Sequence, residues 1–126
     1  METKQIKLLG KDVTFGYCYA TEISYNILAN EEINTFITES LQAVSEKKMP
    51  NVKKSIYLIL ASITSYYESQ GQEAPVTDKE LMYECKSDEL GTALGTVLAL
   101  YMDFYHLSQT EVANAKKEKK GAKGKN

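Results

Sequence analysis

A chain of 126 residues that is 43% hydrophobic and 25% charged can bury one core and has the make-up of a globular protein. Its net charge of −2 is uneven: residues 1–113 hold nine lysines and sixteen acids (−7), whereas residues 114–126 hold six lysines and one acid (+5). An acidic body whose basic residues are all lysine argues against sequence-specific duplex recognition, and two distant cysteines, Cys18 and Cys85, argue against a disulfide framework.

Those two cysteines have no CxxC spacing, which suits free thiols in a reducing compartment. The opening METKQIKLLGKD has no basic segment followed by an apolar run, so no signal peptide is expected. The uncharged apolar run Leu90–Met102 has 13 residues, against about 20 for a membrane span. The expected location is the cytoplasm.

Taken in chain order, KQIKLLGKDVTFGYCYA reads as a β-hairpin. Ile6 and Leu8 alternate with Lys7, and Val13, Phe15, Tyr17 and Tyr19 alternate with Thr14, Gly16 and Cys18. Gly10-Lys11 is the expected two-residue turn. A lone hairpin is marginal, so its apolar face must lie on helices.

From Ala20 onward the pattern is helical. Thr21 is the expected N-cap of a short helix whose apolar positions are Ile23, Ile27 and Leu28. Asn30 is the expected cap of a second helix, with Glu31 and Glu32 in its first turn and Ile33, Phe36, Ile37, Leu41 and Val44 at helical spacing. Pro50 stops that helix and Asn51 caps a third, over Val52–Gln70, with Ile56, Ile59, Leu60, Ile63 and Tyr67 in one stripe and Gly71 as its left-handed terminator. Thr77 with Glu80 forms a capping box for a short helix that turns Leu81, Met82 and Cys85 inward. Ser87 caps a last helix over Asp88–Leu107, with Leu90, Leu94, Val97, Leu98, Tyr101 and Tyr105 in one stripe. The fold class is mainly α with a small N-terminal hairpin (α+β), packed on a bundle of about five helices. Residues 1–108 make a single domain and 109–126 a disordered lysine-rich tail.

No catalytic constellation emerges. His106, the only histidine, sits at a helix C-terminus, where the dipole favours it without any function. Cys18, Cys85 and His106 lack the paired close spacing of zinc ligands. The acid pairs Glu31-Glu32 and Asp88-Glu89 fall at helix starts, where carboxylates complement the dipole. Hence no enzyme activity, metal or cofactor is expected. Gly91 and Gly95 lie four apart on one helix face and predict a close crossing with the hairpin or the third helix.

Nine tyrosines against three phenylalanines and no tryptophan is unusual. Tyr66 and Tyr67 point to different faces of one helix, as do Phe104 and Tyr105 of another. Part of the set Tyr66, Tyr67, Tyr101, Phe104 and Tyr105 is therefore expected to form an exposed aromatic patch that binds a protein partner. The plainer reading is half-buried, hydrogen-bonded tyrosines.

The opening IKLLGKDVTFGYCYATEISYNI, the later helix start VTDKELMYE and the lysine-rich end resemble, over residues 4–126, the tail assembly chaperones of long-tailed (siphovirus-like) bacteriophages and prophages. The resemblance is one of overall pattern, since that family has no invariant catalytic motif. It implies a non-enzymatic protein that binds the long helical tape measure protein, keeps it soluble while the tail tube assembles around it, and leaves the finished particle. It also implies a longer product made by ribosomal frameshifting, for which codons of Lys116-Lys117 and Lys119-Lys120 could supply runs of A. A homo-oligomer is a further partner expectation, separate from the resemblance. A different reading is a small cytoplasmic regulator that contacts nucleic acid non-specifically through its lysine tail.

Overall fold

The computed structural model describes residues 1–107. The expected unstructured tail at 109–126 lies outside the described residues. Two strands, β1 (Glu2–Leu8) and β2 (Lys11–Tyr17), precede five helices: α1 (Tyr19–Ala29), α2 (Ile33–Ser45), α3 (Val52–Ser69), α4 (Asp78–Tyr83) and α5 (Ser87–Phe104). The fold is mainly helical with an antiparallel N-terminal hairpin, and all seven elements contribute to one core.

The hairpin buries Leu8, Val13, Phe15 and Tyr17, as the alternation indicates, with Ile6 half-buried. Tyr19, read as the next inward strand position, instead opens α1 and is 65% exposed, because the strand ends at Tyr17. Its turn, however, is Leu9-Gly10 and not Gly10-Lys11. Leu8 pairs with Lys11, and both central residues have positive φ (54° and 76°), the type I′ geometry that matches strand twist. A left-handed leucine is strained. Its compensation is tertiary: the Leu9 side chain packs against the core, and its N–H donates to Glu89 Oε2 at 3.0 Å. Lys11, released from the turn, donates to Glu80 Oε2 and to the Pro75 carbonyl, tying the hairpin to the α4 region.

In a two-residue hairpin with this register, the N–H and C=O groups of Thr14 and Gly16 point to the outer edge of β2. Helix α3 covers that edge. The Thr14 N–H donates to Tyr67 Oη at 3.1 Å, and the Gly16 carbonyl accepts from Ser62 Oγ at 2.8 Å. An open strand edge invites foreign pairing, and the coverage protects this edge from it.

Helix α1 departs most from expectation. Cys18, not Thr21, is the N-cap; Thr21 lies one turn inside and accepts the Cys18 N–H at 3.2 Å. The Thr21 hydroxyl is buried 2.7 Å from Ser65 Oγ of α3. Thr21 and Tyr25 therefore face the core. Ile23 and Ile27 are 61% and 76% exposed, and Leu28 is exposed as well. With a single residue between β2 and α1, the strand dictates the helix's rotation, and a hydroxyl able to bond Ser65 takes the inward place of isoleucine.

Asn30 does not cap α2. It closes α1 in the left-handed conformation (φ 53°), and Glu32 precedes α2 as its N-cap. Ile33, Phe36 and Ile37 are buried, Leu41 is half-buried, and Val44 is exposed. The α3 boundaries follow the sequence: Asn51 Oδ1 accepts the Lys54 N–H at 2.9 Å, and Gly71 (φ 68°) terminates the helix in a Schellman motif, with the Gln72 N–H donating to the Tyr67 carbonyl. The Thr77/Glu80 capping box is also present. In the short α4 only Leu81 is buried; Met82 is exposed and Cys85 half-buried, because six residues present a single inward position. Helix α5 takes Lys86 as N-cap, with Ser87 already helical. It ends at Phe104, short of the expected Leu107. Left-handed His106 (φ 55°) and the Leu107 N–H donating to the Met102 carbonyl at 2.7 Å close it without a glycine.

Candidate functional site

The five aromatic residues singled out in the sequence fall into two groups. Tyr66 and Tyr67, at the end of α3, pack edge-to-face on each other with ring centroids 5.0 Å apart. Tyr67 receives the Thr14 N–H, and the backbone and Cβ of Tyr66 lie directly over Gly16. Tyr101, Phe104 and Tyr105, at the end of α5, gather around Tyr17 of the hairpin, with centroid distances of 5.7, 5.2 and 6.4 Å. Tyr17, the fully buried centre of this cluster, is not one of the five. Tyr19 adds an edge contact to Phe104 at 5.3 Å.

Hydroxyl chemistry ties the second group to the fold. Tyr17 Oη donates to Glu22 Oε2 at 2.7 Å, Tyr105 Oη donates to the same oxygen, and Tyr101 Oη donates to Asn34 Oδ1 at 3.2 Å. Burial, with the neighbouring Glu22 carboxylate, pushes the Tyr17 and Tyr105 hydroxyls well above the ordinary tyrosine range. They hold their protons at neutral pH and act as fixed donors. Tyr66, Tyr67, Tyr101 and Phe104 are half-buried, and Tyr105 is at the margin of exposure. This arrangement is close to the plainer reading of the tyrosines.

The acid pairs divide as well. Asp88 and Glu89 occupy the first turn of α5, as the dipole favours, although Glu89 also holds the hairpin turn. Glu31 lies before α2 and has tertiary partners: it accepts from Tyr25 Oη at 2.7 Å and from Lys54 Nζ at 2.9 Å. Burial raises its carboxyl, but these two hydrogen bonds outweigh that and hold it below the usual carboxylate range. Among the described residues no group of three His, Cys, Asp or Glu side chains could hold a metal ion, and no helix is long and apolar enough to cross a membrane.

The predicted close crossing at Gly91 and Gly95 is absent. Both lie on the exposed side of α5, and a Cβ built on either meets nothing within 4 Å. Instead they line an open groove of about 540 Å³ between α5 and the C-terminal end of α2. Leu94 and Leu98 of α5 and Leu41 and Val44 of α2 form its apolar walls, with Met49 and Met102 beside them. Glycine inside a helix costs about 1 kcal/mol relative to alanine, and no packing among the described residues offsets it here. A second unpartnered surface lies on α1, where Tyr19, Ile23 and Ile27 recur at four-residue spacing and face outward.

No family model, curated protein or solved structure matches this chain.

Sequence reasoning found the glycine pair but assigned it to an internal crossing. It missed the outward stripe of α1, because exposed and buried isoleucines carry the same signal. The one available clue was Tyr25, opposite Ile23 and Ile27 on a helical projection. Apolar residues on two opposite faces mean that the helix is either covered on both sides or leaves one apolar face open.

Proposed function

We propose that this protein is a non-enzymatic tail assembly chaperone of a long-tailed phage or prophage, which binds and solubilises the long helical tape measure protein. The observation that carries the reading is apolar surface left open on a small, well-packed domain: the Tyr19–Ile23–Ile27 stripe and the glycine-lined groove. Such surfaces suit transient capture of an aggregation-prone helical chain. The resemblance of residues 4–126 to tail assembly chaperones supplies the identity of that chain. Several copies holding one long partner through modest contacts gain strength by multiplicity. The acidic body disfavours a polyanionic ligand.

Co-expression tests the proposal, using the product of an adjacent gene that encodes a very long, mostly helical protein. The expected outcome is a larger soluble fraction of that product and its co-elution with several copies of this chain on size exclusion. Equal insolubility with and without this chain, and no complex, would overturn the reading. A DNA affinity that survives deletion of residues 114–126 would favour the regulator instead.

A further inference from the structure

We propose that the groove between α2 and α5 is the docking site for one amphipathic helix of a partner protein, seated with small side chains over Gly91 and Gly95 and with an acidic residue beside Lys47 and Lys48. This names the surface that the chaperone reading requires and rests on that reading.

Three observations support it. The first is the glycine pair. Four residues along a helix advance about 6 Å, so Gly91 and Gly95 make a smooth strip along the α5 axis where another backbone can approach closely. Among the described residues nothing uses that strip: a Cβ built on either glycine meets nothing within 4 Å. No packing among the described residues offsets their destabilising effect on α5, and a partner backbone lying over the strip would offset it.

The second is the shape of the apolar lining. Leu94 and Leu98 are buried and form the floor of the groove; the apolar side chains that stand open along it are Val44 and Met49, with Leu41 and Met102 half-buried. An open apolar rim facing a smooth strip suits the apolar face of an incoming helix. The methionines at its borders, Met49 and Met102, are unbranched and adapt to different partner side chains.

The third is charge. The body of the protein is acidic, yet among the described residues the charged ones lining this groove are Lys47 and Lys48. Among the described residues Lys47 makes no ion pair, and Lys48 lies 3.8 Å from Glu46, with both side chains largely exposed. Two cations facing an apolar groove select a helix that carries acid at one end and disfavour one that carries base.

The probes are two synthetic amphipathic peptides that present a Leu/Ala face. One ends in two glutamates and the other in two lysines. Fluorescence anisotropy and amide chemical-shift mapping on the 126-residue chain read their binding. The glutamate peptide is expected to bind at least tenfold more tightly than the lysine peptide, with shifts centred on residues 91–102 and 41–49. Gly91→Leu with Gly95→Leu fills the groove from a side that touches nothing. It should leave the thermal midpoint no lower and weaken the glutamate peptide at least tenfold. Lys47→Glu with Lys48→Glu should reverse the order of the two peptides. Absence of binding, equal binding of both peptides, shifts centred on α1, or unchanged binding by the double-leucine variant would each overturn the assignment. Concentration-dependent self-association that the double-leucine variant abolishes would overturn it in favour of a second copy. If that variant still solubilises the long helical product on co-expression, the groove assignment falls while the chaperone reading stands. If the peptides bind as expected but wild-type protein rescues nothing, the chaperone reading falls alone.

Discussion

Gly16 shows how one missing side chain fixes a whole contact. Helix α3 lies so close to β2 that a Cβ at position 16 would sit 2.9 Å from Tyr66 Cβ and 2.5 Å from Met1 Sδ. The methionine can swing away, but Tyr66 Cβ is attached to the helix backbone and cannot. Gly16→Ala should therefore destabilise the protein by about 1–3 kcal/mol through overpacking. It would also lengthen the Ser62 hydrogen bond to the Gly16 carbonyl. An unchanged thermal midpoint would show that α3 can retreat at little cost. Ser40 makes the opposite case. It is buried in α2 and its hydroxyl has no hydrogen-bond partner among the described residues. Ser40→Ala should leave stability equal or raise it by up to about 1 kcal/mol, because it removes an unsatisfied polar group. Denaturant unfolding measures it, and a clear loss would mean the hydroxyl has a bonding partner after all.

At the level of elements, the hairpin depends on its neighbours. Its turn is held by a carboxylate from the start of α5, and the outer edge of β2 is capped by α3 side chains. Glu89→Ala should leave the left-handed Leu9 with a free N–H and cost about 0.5–1.5 kcal/mol. Amide exchange at Leu9 should accelerate more than exchange in the middle of β2. Equal protection in the variant would show that core packing of the Leu9 side chain alone holds the turn. Helix α1 illustrates the converse dependence. Its position follows from one linking residue and the Thr21–Ser65 contact, and its most apolar face is left outside.

For the whole molecule, the titrating groups set the pH range of stability. The hydroxyls of Tyr17, Tyr25, Tyr101 and Tyr105 are all raised, first by burial and then by neighbouring carboxylates. A group with a raised folded pKa favours the fold below its unfolded pKa and loses that contribution as pH rises toward the folded value. Stability should therefore fall once pH exceeds about 10, the unfolded tyrosine value. Tyrosinate absorbance should then appear in two stages, the later coinciding with loss of helical circular dichroism. A single early stage with the helices intact would contradict this burial. At the acid end, Glu31 is lowered by Tyr25 and Lys54, and Glu80 by Lys11. Their contributions are complete above about pH 4.3, the unfolded value, and are lost as pH falls through the folded values. Glu31→Gln should flatten this acid limb, and an unaltered limb would remove Glu31 from its cause.

The sequence by itself determined the order of elements, the hairpin's inward face, the Asn51 and Thr77 caps, the Gly71 terminator and the core stripes of α3 and α5. These features are local: a capping side chain or a periodic stripe acts within one or two turns of its own helix. Tertiary structure alone decided the rest. The turn moved to Leu9-Gly10 because a residue distant in sequence, Glu89, receives its N–H. Asn30 closed α1 instead of opening α2, since either role suits an asparagine and only the chain path selects between them. The outward face of α1 could not be read, because Ile23 and Ile27 have the same period whether buried or exposed. Gly91 and Gly95 announced a close approach, but whether it is filled within the chain or left as a groove depends on where α2 ends, and no local rule encodes that distance.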